Sequence, residues 1–280
     1  MSWDEYYEPD DLTRAGPEDD PAVQELEPLL LTLFNDSPQE VYYESQLAVR
    51  FEQRYFHWVT VRALKALREA NKIGSELQEL AANVPLRFYF HRRNRYWKRR
   101  AAEIRKLVQS FSDQAFTSAL GIQGELLTDA GLPRAGFKPV ALNVNSWAER
   151  AWQTTRHDLD RIFERDGVYY GTEIKNRLGY IPLEEFRAKL QMCDHLNLTP
   201  LFIARMMPKT YIQDVHAAGG FCLLMKYQFY PVSHRPLAIA VRQELKLPVD
   251  CPTRLEDGTL ERLLRWHEAK IRRAKPRPAI

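Results

Sequence analysis

Asp166-Gly167 constrains the fold of this chain more than any other pair of residues. The dipeptide lies between two β-prone runs, where Asp-Gly favours a two-residue type I′ turn. Counting back from Arg165 opposite Val168 then sets Asp160 opposite Glu173 and Asp158 opposite Lys175. Glu173 and Lys175 are two residues apart and share a face of their strand. Like charges directly opposed across an antiparallel pair are destabilising, so Asp160 against Glu173 calls for a cation between them. A hard divalent ion with oxygen ligands fills that role, and Lys175 beside it is placed to orient a bound water. Asp158 is the rival of Asp160. In the stated register it forms a cross-strand ion pair with Lys175, and a slipped register would exchange the two.

The 280 residues suffice for one large domain or two modest ones, and 45% hydrophobic with 28% charged residues describes a soluble globular chain. No apolar run approaches the roughly 18–20 residues that span a bilayer, and no signal-peptide pattern opens the sequence. Cys193, Cys222 and Cys251 are odd in number and lack CxxC spacing, so they read as reduced thiols. The expected setting is intracellular, cytoplasmic or nucleoid-associated, with no membrane partner. No phosphate-binding Walker loop or dinucleotide fingerprint is present. Charge is uneven: residues 1–30 hold ten acids and one arginine, a net of −9 against an overall +3, so residues 31–280 carry +12. A basic body points to a polyanionic partner.

Four segments are expected. Residues 1–38 are an acidic segment in which Leu29–Phe34 can pack as a helix. Residues 39–112 read as a mostly α domain with a linker helix: Ser45 caps one helix, and Thr60 caps a second that runs to Ala70. Arg62, Lys65 and Arg68 recur every three residues on that second helix. Residues 84–90 are a strand, followed by a basic turn at Arg92-Arg93-Asn94-Arg95. Helix, turn, basic helix and a strand pair with a basic tip is the winged-helix order. The stretch 87–106 holds nine Lys/Arg and one acid among Phe88, Tyr89, Phe90, Tyr96 and Trp97. Cations that bind phosphates beside aromatics that pack on bases suggest DNA contact, through Arg62, Lys65, Arg68, Arg92, Arg93, Arg95, Lys98 and Arg99.

Residues 113–235 read as helix (115–130), strand (136–142), the hairpin, helix (183–196), strand (201–206), short helix and strand. Residues 236–280 form a basic helical extension. Asp160 followed by Glu173-Ile174-Lys175 resembles the PD-(D/E)XK nuclease superfamily, with Leu159 standing where the family has proline. The order of elements over residues 115–230 resembles its Holliday-junction-resolvase and Mrr-type restriction branch. There the first helix carries a glutamate after a glycine, here Gly121 and Glu125, and a glycine–aromatic pair opens the next strand, here Gly136-Phe137. The resemblance implies an α/β, restriction-endonuclease-like mixed sheet flanked by helices. It also implies Mg²⁺, replaceable by Mn²⁺, on Asp160, Glu173 and the Ile174 carbonyl, with Lys175 as catalytic lysine and Glu125 assisting.

The expected function is therefore metal-dependent endonucleolytic cleavage of DNA, as a homodimer if both strands are cut. The alternatives are a non-catalytic DNA-binding protein on the same fold, and a winged-helix module that binds protein partners. Gln191, His157 and Cys193-Asp194-His195 are read as surface or structural residues.

Overall fold

Asp20 starts the first helix. Its carboxylate accepts the Ala22 N–H (2.9 Å) and caps α1 (Pro21–Asp36). Along α1 the residues Val23, Leu26, Leu30 and Phe34 recur on one face and are fully buried. The computed structural model describes residues 20–80 and 84–274. These form a mixed α/β protein of two compact units. One runs to Thr117 and includes Pro236–Leu247; the other comprises Ser118–Arg235 and the chain from Pro248 onward.

In the first unit β1 (Val41–Tyr43), α2 (Glu44–Phe51) and α3 (His57–Glu69) follow α1. The hairpin β2 (Gly74–Glu79) and β3 (Pro85–Phe90) then leads into α4 (Trp97–Ser112). β3 is the central strand of a three-stranded antiparallel sheet in the order β1-β3-β2. Leu47, Leu64, Leu67 and Tyr89 close a core with the apolar face of α1. The helix expected near Leu29 thus starts eight residues earlier and is part of this unit. The basic turn at 92–95 lies after β3, at the entry to α4, and not at the β2–β3 tip, whose residues 81–83 fall outside the described ones. The acidic residues before Asp20 also fall outside them.

The second unit opens on α5 (Gln114–Gly131), whose first residues count with the first unit. β4 (Lys138–Val144), the small hairpin β5 (Ser146–Trp147) and β6 (Arg150–Ala151), β7 (Leu159–Arg165) and β8 (Val168–Lys175) follow. Then come α6 (Leu183–His195), β9 (Thr199–Ala204), α7 (Lys209–Ala217), β10 (Phe221–Leu224) and β11 (Gln228–Phe229). α8 (Arg235–Leu245) returns the chain to the first unit; β12 (Val249–Asp250) and α9 (Asp257–Ala274) complete the second. The expected C-terminal extension is thereby shared between the two units. The main sheet runs β10-β9-β8-β7-β4, antiparallel on the β4–β7–β8 side and parallel from β8 to β10. On one face Phe163, Tyr170, Ile174, Leu201 and Leu223 pack with Leu127 of α5 and Leu263 of α9. On the other, Ile162 packs with Met192 and Cys193 of α6, and Phe202 packs with Phe186.

Asp166 and Gly167 both have positive φ, 51° and 75°, as a type I′ turn requires. The register is the one read from the sequence, with Arg165↔Val168 through Arg161↔Thr172. At Gly171 on β8 a Cβ would stand 2.8 Å from Cys193 Sγ and 2.9 Å from Leu159 Cδ1, so any larger residue would force those side chains to move. Among the described residues no helix is long and apolar enough to cross a membrane.

Candidate active site

Antiparallel ladders alternate hydrogen-bonded and non-hydrogen-bonded pairs. Counting from the closing pair Arg165/Val168, the Asp160/Glu173 position is a non-hydrogen-bonded one, where side chains stand closest. The ladder ends one step earlier, at Arg161↔Thr172. Beyond it the Asp160 carboxylate enters the gap between the strands, and its Oδ2 accepts the Ile174 N–H at 2.6 Å. In an extended strand a residue's N–H and C=O point to the same edge, so the Ile174 carbonyl also turns toward Asp160.

Glu173 is 1% exposed. Its Oε1 lies 2.7 Å from Lys175 Nζ and its Oε2 lies 2.6 Å from Lys189 Nζ. Lys175 also bonds Glu185 at 2.8 Å, and Lys189 donates to the carbonyl of Asp158. A row of alternating charge, Lys189–Glu173–Lys175–Glu185, therefore joins β8 to α6. Burial raises the Glu173 pKa to about 7, with the Asp160 charge adding to it and the two lysines pulling it down. Asp160 is raised by burial and by Glu125, against the Ile174 N–H and both lysines. Burial works to deprotonate Lys175, but Glu173 and Glu185 outweigh it and hold the ammonium above its ordinary range. Burial likewise opposes ionisation of Glu185, and Lys175 overcomes it, so that carboxyl is lowered.

Asp160, Glu173, Lys175 and Ile174 are thus brought together as the sequence places them. Glu125 reaches the site from α5, on the opposite face of β8 from Glu173. It is held by Arg161 (2.8 Å), which also binds Asp129 at 3.0 Å. Glu125 is therefore one arm of an arginine-centred cluster, and it affects Asp160 by its charge. Asp158 precedes β7 and is exposed, and Lys175 takes Glu173 and Glu185 in its place. Gln191 is exposed, and Cys193 is buried against Gly171.

Lys189, Glu185 and Arg161 carry no motif in the sequence. Helix charges at 185 and 189 are four residues apart, the spacing that puts two side chains on one face, and that is the one signal they offer.

The basic residues of the first unit separate into two sets. Arg62 is buried, stacked on Trp58 at 4.9 Å with Asp20 at 3.7 Å, so it faces the protein and not solvent. The cause is the cap of α1, whose carboxylate sits beside that position. Lys65 is exposed, and Arg68 is half-buried beside Glu69 at 3.2 Å. Arg92, Arg93, Arg95, Lys98 and Arg99 are exposed in the turn after β3 and the first turn of α4. Arg92 is tied to the Asn71 carbonyl (2.8 Å) and Arg99 to Glu103 (3.4 Å). Tyr96, 82% exposed, stands among them.

Among the described residues no three His, Cys, Asp or Glu side chains form an ion-binding group. The donor set is instead two carboxylates and a backbone carbonyl. That set fits Mg²⁺, which is held by one or two carboxylates and retains several waters. The raised Asp160 and Glu173 carboxyls are the pair such an ion would relieve, and Lys175 and Lys189 provide the positive charge in this structure. Comparison with known family models, curated proteins and solved structures found no match.

Proposed function

We propose that this chain is a metal-dependent endonuclease that hydrolyses phosphodiester bonds of DNA. The reading rests on one observation above all: the Asp160 carboxylate seated in the opened β7–β8 ladder, beside buried Glu173 and within one strand residue of Lys175. Asp160, Glu173 and the Ile174 carbonyl would hold Mg²⁺, which when bound supplies an acidified water and polarises a phosphoryl oxygen. Lys175 orients that water or stabilises charge developing on the phosphate oxygens. Glu185 accepts the other side of the Lys175 ammonium and fixes where it points. Lys189 neutralises Glu173 from below the sheet and ties it to the start of β7 through Asp158. Arg161 keeps the charge of Glu125 close to Asp160 but engaged.

The second unit then has the restriction-endonuclease-like arrangement, with Asp160 and Glu173-Ile174-Lys175 on neighbouring antiparallel strands. The first unit's order, α1-β1-α2-α3-β2-β3, supports a winged-helix-like domain, and its exposed cations at 92–99 supply a DNA-facing surface. Purified protein with Mg²⁺ or Mn²⁺ should nick plasmid, branched or single-stranded DNA, and Asp160→Asn or Lys175→Ala should remove the activity without unfolding the chain. Equal activity in the wild type and both variants would refute the reading.

A second reading is favoured by the two lysines that occupy both Glu173 oxygens. A protein that kept this fold for DNA binding alone would neutralise the glutamate in this way. Steeply salt-dependent DNA binding with no divalent-ion binding in calorimetry would select it.

A further inference from the structure

Met225, Tyr227 and Phe229 are walls common to two adjoining hollows in the second unit. The smaller is a water-sized void on the α5 face of β8, lined by Gly124, Thr128, Ile174 and Asn176, with Lys175 at its edge and that residue's ammonium on the other face with Glu173 and Glu185. The larger is a cleft of about 310 Å³. A volume near 300 Å³ is at the lower end of small-molecule sites and has room for one nucleotide. Tyr227 is 44% exposed and lines both hollows.

The cleft wall is basic, with Lys226, Arg254, Arg262 and Arg265 against Asp250 and Glu256. Arg262 is committed to the Leu224 carbonyl (2.8 Å) and Thr259 Oγ1 (3.4 Å), and so acts as a fixed post. Arg254 lies 3.7 Å from Asp257 and is mostly exposed, and Arg265 is exposed. The first turn of α9 opens here at Gly258 and Thr259, with its positive dipole end toward the cleft. Guanidinium groups grip phosphate oxygens in pairs. Asp250 and Glu256 make a bare anion a poor occupant, and they offer acceptors to the amino groups of a base.

We propose that this cleft seats one unpaired nucleotide of a DNA strand, its base stacked on Tyr227 and its phosphate between Arg254 and Arg265. The assignment rests on the nuclease reading for the identity of the strand, and it narrows the substrate to DNA with an unpaired or displaced nucleotide. Binding in the cleft can be measured without turnover.

The full chain in EDTA is titrated into a short single strand carrying 2-aminopurine, and into the same sequence as a duplex. Emission from the single strand should be quenched as the base stacks. Tyr227→Ala should abolish the quench and weaken binding roughly 5- to 150-fold, the range for loss of one base–aromatic stack. Tyr227→Phe should retain both, and Arg265→Ala should weaken binding while keeping the quench. Tyr227→Ala and Arg265→Ala behaving like wild type would overturn the proposal. Asp160→Asn should quench normally. If wild type quenches but never cleaves in Mg²⁺, the nuclease reading fails and the nucleotide site stands. Cleavage with no Tyr227-dependent quench overturns the nucleotide site and leaves the nuclease reading intact.

Discussion

Glu173→Gln should stabilise the metal-free protein at alkaline pH. Glu173 is 1% exposed, so solvent does little to screen what it feels. Its carboxyl is raised from an ordinary 4.5 to about 7, with burial as the largest cause and Asp160 second. The attractions of Lys175 and Lys189 are already contained in that value, and they fail to offset the burial. A folded-state pKa above the unfolded one means that the native protein binds this proton more tightly. The resulting stabilisation is fully present below about pH 4.5 and is lost as pH rises through about 7. At about 1.36 kcal/mol per pH unit, the ionised glutamate costs about 3 kcal/mol at pH 8.5 relative to its neutral form. Glutamine resembles the neutral form at every pH. In EDTA, Glu173→Gln should therefore melt roughly 6–12 °C higher than wild type at pH 8.5, and the gain should vanish near pH 4.5. Scanning calorimetry at both pH values, following the transition of the second unit, measures this. A variant that melts lower than wild type at pH 8.5 would show that the two lysine pairs more than offset the burial, and the reasoning would fail.

Other consequences are structural. Arg161→Met should lower the stability of the second unit by about 2 kcal/mol, less than the ~3–5 kcal/mol of a fully buried pair because Glu125 and Asp129 are each about a third exposed; chemical denaturation of the variant tests this. Gly171→Ala should cost roughly 1–3 kcal/mol by overpacking against Cys193 and Leu159, and adding Cys193→Ala should return part of it; additive losses in the double variant would refute the contact. Tyr170→Phe leaves the buried His267 Nδ1 without its 2.5 Å partner, a loss of about 1–3 kcal/mol that the melting temperature should report. Swapping Lys65, Arg93, Arg95 and Lys98 to Ala together should flatten the salt dependence of DNA binding, whereas Arg62→Ala should lower stability instead, through lost stacking on Trp58.

The hairpin is legible in the sequence because its signals are local. Asp166-Gly167 fixes the turn, the turn fixes the register, and the register brings Asp160 to Glu173 and Lys175. The other half of the site is not legible, because Lys189 and Glu185 read as ordinary helix charges until α6 packs across β8. Arg62 illustrates the opposite error. Its three-residue spacing with Lys65 and Arg68 reads as one solvated face, but Asp20 and Trp58 draw it inward, and Asp20 is distant in sequence. β2 escapes a sequence reading since Gly-Ser-Glu-Leu-Gln-Glu has little strand propensity and becomes a strand by pairing with β3. Nothing local in residues 236–247 marks them as part of the first unit; Gln46 donating to the Leu245 carbonyl at 3.0 Å is a contact across nearly two hundred residues.

A crystal soaked with Mn²⁺ tests the central claim most directly. Anomalous scattering should reveal one ion bound by Asp160, Glu173 and the Ile174 carbonyl, with Lys175 moved off Glu173 and kept by Glu185. Both lysines still on Glu173 and no ion beside Asp160, at Mn²⁺ concentrations that support metal-dependent cleavage by known nucleases, would contradict it.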